Sequence, residues 1–328
     1  MTDEQKRGTP AKGTVDIDQE RKQRKTVIMA NIGLLFVALF WGGGFVAGKF
    51  ALQGMEPLNI TAYRYVGATI LMACFCVKKF RLMNVKMILG GSLVGFLVFL
   101  GNTLQTIGLQ YTTPGKQSFI ISLYTVMVPL LSWLILRIRP PKKIIAAAVI
   151  ALLGISLLTL KDDLTIGWGD FLTFLFAVAF SIEVILLGVF MKNMDANLFT
   201  FVEIASAAVF SVLTALIFGE PESLVDIGLV PLAGLIYLIS FNSTFAFLLQ
   251  NRCQSIAPPN YVAILLSSET VFGTFFAIAL AGEVFSGRMI IGCILMFVAI
   301  FIAVAPPRKK KDLKCYNKVV TEVANKIY

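Results

Sequence analysis

In the stretch FWGGGFVAGKF, Phe40 to Phe50, Gly43 and the pair Gly48-Lys49 have the spacing of a phosphate-cradling loop. Such a loop also needs a Ser or Thr after the lysine to hold magnesium, and Phe50 stands there instead. Composition narrows the remaining chemistry. The 328 residues include no histidine, which removes histidine bases, Ser-His-Asp triads and histidine metal sites. The five cysteines, Cys74, Cys76, Cys253, Cys293 and Cys315, follow neither redox nor zinc spacing and mostly lie in apolar runs. They read as reduced packing residues. Neither a cofactor nor a metal site is expected. What is left is a handful of ionisable groups in apolar sequence: Glu183, Glu203, Glu269, Arg64 and Lys49. Their meaning depends on the elements that carry them.

Hydrophobic residues make up 57% of the chain and charged residues only 15%, against roughly 25% charged in soluble proteins. Apolar runs recur at about 27–48, 60–77, 87–109, 118–136, 144–160, 171–191, 198–218, 229–250, 261–281 and 289–305. Each approaches the ~20 residues that a helix needs to cross ~30 Å of hydrocarbon. The expected fold is an all-α integral membrane protein of ten transmembrane helices. Gly43 to Lys49 then lies inside the first span, where an ATP-cradling loop would leave backbone groups unbonded in lipid. The glycines fit helix packing better: Gly44 and Gly48 form G-x-x-x-G, a smooth face for a neighbouring helix.

Lysine and arginine cluster on alternate connections. One set holds Arg21 to Lys25, Lys78 to Lys86, Arg137 to Lys143 and Arg308 to Lys311; the other set carries Glu56, Asp162, Asp163, Glu220 and Glu222. The positive-inside rule places both termini in the cytoplasm of a multi-pass cell-membrane protein. The net charge of +10 is therefore topological, and no nucleic-acid partner is expected. Residues 1–26 read as a disordered cytoplasmic tail and 306–328 as a basic cytoplasmic tail.

Leu104 to Pro129 lies over Leu249 to Thr274 at an offset of 145 residues, with Leu-Gln, a proline and Thr-Val in matching places. Residues 27–160 and 171–305 are thus expected to be two five-helix repeats of opposite orientation. Inverted repeats of this kind occur in secondary transporters, whose substrates bind near the midplane where the halves meet. The motifs FWGGGFVAGKFALQGMEPLNITAYRYVGA, GLQYTTPGKQSFIISLYTVMVPLLSWL and SSETVFGTFFAIALAGEVFSGRMIIGCILM resemble the ten-helix EamA-type members of the drug/metabolite transporter superfamily. The resemblance covers about residues 30–305. Glu269 falls where that family has the acid of a Glu-Pro pair, and Gly282-Glu283 on a second Gly-Glu motif. Thr270 replaces the proline, and Tyr124 and Ile138 stand where the first half would carry its acids. The resemblance implies export of small polar metabolites, amino acids or drug-like compounds.

Ionisable groups in a membrane core are costly unless paired or facing water. Glu269 and Glu183, each mid-span, are the candidates for a coupling proton or a cationic substrate group, or for half of a structural bridge. Arg64 is read as a snorkelling or bridging residue or as a substrate contact. Glu203 is read as hydrated or paired, and Lys49 as snorkelling. Asn102 and Gln105 share one helix face, and Gln117 and Tyr124 another. Trp41, Asn242 and the stripe Tyr237, Phe241, Phe245 complete a candidate cavity for a small-molecule substrate. The expected function is a secondary exporter working by alternating access and not an enzyme. A multidrug exporter of lipophilic cations is the alternative carrier. A membrane-embedded lipid enzyme would need clustered acids or a histidine pair at the membrane face, and the only adjacent aspartates are Asp162-Asp163.

Overall fold

The computed structural model describes residues 12–112, 114–137, 139–159, 167–191, 194–220, 227–281 and 287–305. Among these residues the chain is helical throughout, with no strand. Helices α1 (Lys12–Ala51), α2 (Pro57–Cys76) and α3 (Val85–Tyr111) are followed by α4 (Pro114–Ile121), α5 (Tyr124–Leu136) and α6 (Lys142–Thr159). Helices α7 (Trp168–Phe190), α8 (Ala196–Phe218), α9 (Leu229–Tyr237) and α10 (Ala246–Gln254) come next, then α11 (Pro259–Leu266), α12 (Glu269–Ala281) and α13 (Gly287–Val304). Nine described helical segments have the length and hydropathy to cross a membrane. Lys142–Thr159 is a further apolar helix where the fifth span is expected. Large apolar side chains point outward, Leu134 at 76%, Phe218 at 75% and Phe301 at 76% exposure, as a lipid-facing surface requires.

Local chemistry sets the boundaries. Asn84 caps α3 by accepting from Met87 N at 2.9 Å. Asp195 caps α8 by accepting from the amides of Asn197 and Leu198. Pro57 and Pro259 stand in the first turns of α2 and α11, where a missing N–H costs nothing. Helix α1 begins at Lys12, inside the segment expected to be a disordered tail. The run DQERKQRK consists largely of good helix formers, and extending a helix already nucleated in the span is cheap. Residues 1–11 and 306–328, and with them the basic C-terminal tail, lie outside the described residues.

Two expected spans are interrupted by turns. The fourth is broken at Ser122-Leu123, between α4 and α5, and the ninth at Ser267-Ser268, between α11 and α12. The breaks are in repeat register. Leu123 N bonds Ile120 O and Thr125 N bonds Ser122 O; 145 residues on, Ser268 N bonds Leu265 O and Thr270 N bonds Ser267 O. Serine hydroxyls take up carbonyls at each break: Ser122 Oγ donates to Ser118 O, and Ser267 and Ser268 donate to Ile264 O and Leu265 O. Small hydroxyl side chains can do this where lipid offers no partner.

The packing repeats the same symmetry. Helix α2 lies on α8 and α6 on α13, each against its counterpart in the other repeat. The α9–α10 span packs on α1 as its counterpart α3 packs on α7. Between α9 and α10 the chain widens into a π-helix over Leu238–Phe245.

Candidate functional site

An open cavity lies between the halves. It descends from the end of the bundle opposite Lys25. Near that mouth it is bordered by Gly48, Ile60 and Leu109, each within a turn of its helix end, and its floor is formed by Glu183, Glu269 and Phe247. Toward the terminal end the way is packed: Val262 to Leu266 of α11 are all buried, as are Leu187, Met191, Leu198 and Phe199. Helix α4, the repeat counterpart of α11, leaves Phe119 and Ile120 partly exposed.

The walls carry charge of both signs. Arg64 is 6% exposed and donates from Nε to Ser243 Oγ at 2.5 Å and from Nη2 to Asn242 Oδ1 at 2.7 Å. Both partners stand in the π-helix, a feature often found at functional sites. Asn242 is itself fixed. Its Nδ2 donates to Phe40 O, and its own carbonyl accepts from Trp41 Nε1 at 3.1 Å. The Trp41 ring meets Phe180 and Phe247 edge-on at 5.4 and 5.8 Å, which makes an aromatic collar in mid-cavity.

The acids are 1% exposed at Glu183 and 4% at Glu269. Glu183 Oε1 accepts from Gln250 Nε2 at 3.1 Å, while its Oε2 is buried with no partner. Glu269 Oε1 is also buried without a hydrogen bond. The Tyr124 hydroxyl is its neighbour in the other repeat but lies outside strict hydrogen-bond geometry. Neither acid forms an ion pair among the described residues. Beside Glu269 the two broken spans touch, with Ser122 Oγ and Thr270 Oγ1 2.7 Å apart. The half-helix α12 opens on Glu269, so the acid sits at a helix N-terminus in the middle of the bundle.

Two consecutive matches to one family model cover residues 28–160 and 167–305, nearly the whole helical region. The chain belongs to the EamA-like transporter family. An uncharacterized transporter of Archaeoglobus fulgidus is 29% identical over 275 residues, 84% of this chain and 85% of the relative. The uncharacterized transporter YyaM of Bacillus subtilis is 25% identical over 234 residues, 67% and 76% of the respective chains. One solved crystal structure superposes with a TM-score of 0.71 at 15% identity, covering 86% of this chain and 99% of its own, and shows the same fold. This EamA-like protein is thus a multi-pass membrane transporter.

Of the residues singled out from the sequence of this EamA-like transporter, Trp41, Arg64, Asn102, Gln105, Asn242, Glu183 and Glu269 border one cavity. Tyr124 does not reach its wall; it is fully buried, edge-on to Phe180 at 4.8 Å and beneath Glu269. Arg64 does not snorkel but is buried, whereas Lys49 is exposed. Glu203 is not hydrated. It is fully buried and accepts from Asn251 Nδ2 at 2.6 Å. The aromatic stripe faces away from the cavity, with Phe241 at 43% and Phe245 at 41% exposure.

The glycine face needs a correction. A Cβ on Gly44 would collide with Asn242 Nδ2, and one on Gly42 would come within 2.7 Å of Gly273 N. Gly48 has room, its nearest neighbour being Leu109 at 3.7 Å, because it borders the cavity and not a helix. The tight positions are Gly42 to Gly44. The Gly282-Glu283 motif and Ile138 lie outside the described residues.

Sequence reasoning missed the amide set Gln250, Asn251 and Gln254, all buried in α10. Asn251 and Gln254 read as loop because the eighth span was expected to stop at Gln250. The i, i+4 spacing of Gln250 and Gln254 was the available sign of one polar helix face.

Proposed function

We propose that this protein is a secondary active exporter of small polar metabolites or amino acids, working by alternating access between its two inverted repeats. Both termini are taken as cytoplasmic, so the cavity opens outward. The observation that carries the reading is the pair of broken spans meeting at Ser122 and Thr270 beside an acid with no cation partner. Half-helices ending at the midplane are how transporters place polar backbone and charge against a substrate without exposing it to lipid. Gln117 and Ile121 of α4 border the cavity whereas their counterparts Val262 and Leu266 of α11 are buried away from it, an asymmetry that supports the mechanism. Exchanging the two environments across the pseudo-two-fold would close the outer mouth and open the inner one. Glu269 would carry the coupling proton, with Glu183 as the second candidate.

Arg64 in the cavity wall weighs against a carrier of lipophilic cations, because such a cation would meet a fixed positive charge in a poorly screened site. Purified protein in proteoliposomes, loaded with a panel of amino acids and small organic solutes, tests the reading by counterflow and by accumulation under an imposed pH gradient. Saturable exchange of a polar solute, accelerated by the gradient, is expected. Transport confined to lipophilic cations would overturn the substrate class, and solute flux that neither saturates nor counterflows would overturn the carrier mechanism.

A further inference from the structure

Arg64 is a cation in the membrane core that no protein carboxylate neutralises: none of the described residues forms an ion pair with it. The Tyr65 ring centroid lies 5.1 Å from its Cζ, but a cation–π contact is weak beside the cost of an intramembrane guanidinium, which marks a site unless something else answers its charge. Three features of its surroundings show where that answer must come from. The guanidinium has five N–H donors, and the protein takes one from Nε and one from Nη2, through Ser243 and Asn242. Nη1 donates to none of the described residues, yet it is not among the buried polar atoms left unsatisfied. It therefore faces the cavity, which Arg64 lines. The fork is also held rigidly. Asn242 is tied to α1 through Phe40 O and Trp41 Nε1, and the π-helix turns Asn242 and Ser243 toward one guanidinium. A side chain used only to join α2 to the π-helix would not need a charge, since neutral donors make the same two bonds.

We propose that Arg64 is the anion subsite of the transported molecule and takes an organic carboxylate. This rests on the transport reading above and names the chemistry of one end of its substrate. A carboxylate oxygen on Nη1 would complete a charge-assisted bond of the kind for which the planar fork is suited. A phosphate dianion fits less well, because Glu183 and Glu269 share the same cavity and would repel the second charge. The same acids, at the floor, leave a place for a positively charged group on the other end of the ligand.

The test uses purified full-length protein and matched probes: leucine, leucinamide, isoamylamine and 4-methylpentanoate, together with the same set built on alanine, serine and phenylalanine. Binding is read by calorimetry and by the shift in melting temperature. Wild type should bind the carboxylate member of at least one series at least tenfold more tightly than its amide. Arg64→Gln should reduce that ratio below threefold. Because Arg64→Gln also alters the joint between α2 and the π-helix, Asn242→Asp is the second variant. It supplies a carboxylate at the position that already accepts from Nη2, so the protein neutralises the guanidinium itself and the carboxylate preference should disappear in a folded protein. Arg64→Lys should keep a weaker preference. Equal binding of acid and amide by wild type, or preference retained in both Arg64→Gln and Asn242→Asp, overturns the subsite. So does the absence of binding by every carboxylate. In each case counterflow of the amides and amines still decides the transport reading on its own.

Discussion

Replacing Glu269 with Gln keeps the side chain's size and removes its ability to change charge. The surroundings make the structural consequence small. No cation among the described residues pairs with Glu269, and its Oε1 already lacks a hydrogen bond. Breaking a true buried bridge would strand a charge and cost about 3–5 kcal/mol; here the stability change should stay near the ~1 kcal/mol of one altered hydrogen bond. The functional consequence should be large. If one proton accompanies each substrate, a gradient of one pH unit supplies about 1.4 kcal/mol, a tenfold accumulation. Glu269→Gln should bring that accumulation to about unity and flatten the pH dependence of exchange. Thermal melts and gradient-driven flux in proteoliposomes, measured on the same preparation, read both quantities. A loss of several kcal/mol with flux falling in parallel would reveal a structural bridge. Wild-type accumulation with an unchanged pH profile would refute the role, and Glu183 would become the remaining candidate.

Gly44→Ala forces a methyl into Asn242 and should destabilise by about 1–3 kcal/mol, whereas Gly48→Ala should be neutral or gain up to ~1 kcal/mol from helix propensity; urea or thermal unfolding separates them. An ATPase activity lost in Lys49→Ala would revive the phosphate-loop reading, and none is expected. Cysteines at Tyr111 and Leu229, exposed at 63% and 82%, should react with impermeant maleimide in intact cells, while one at Leu82, exposed at 64%, should not; the reverse pattern would invert the proposed topology. Asp195→Ala should cost about 1 kcal/mol through loss of the α8 cap. Burial opposes ionisation of Asp195, but the Lys79 ammonium at 2.7 Å and the capped amides outweigh it and hold the carboxyl below the usual aspartate range. Its contribution should therefore be complete at neutral pH and fade as pH falls below about 4 through the depressed folded value, a fading absent in Asp195→Ala.

Which parts of this were legible in the sequence follows from which physical signals are one-dimensional. Span positions come from runs of apolar residues, and the repeat from Leu104-Gln105 against Leu249-Gln250, so the bundle and its symmetry could be read directly. Buried acids stand out because they are rare in lipid, and Glu183 and Glu269 both reached the cavity floor. The breaks at Ser122 and Ser267 were hidden inside continuous apolar runs. Serine interrupts a helix only where neighbouring elements hold the freed backbone, which is a tertiary fact. The π-helix at Leu238–Phe245 was invisible for the same reason, and with it the environment of Arg64. Gly44 and Gly48 have identical spacing credentials; only the position of Asn242 beside one and of open space beside the other tells them apart.

Alternating access is tested most directly at α11, the half-helix that closes the inner side. A single cysteine at Val262, fully buried here while its repeat counterpart Gln117 borders the cavity, is placed in a cysteine-free background and its reaction with maleimide is timed in proteoliposomes with and without a transported solute. The account predicts almost no reaction at rest and a clear acceleration during turnover, as α11 takes the cavity-lining position that α4 has here. Full transport with Val262→Cys still unreactive would contradict an inward opening at α11, and with it the exchange of repeat environments proposed for this carrier.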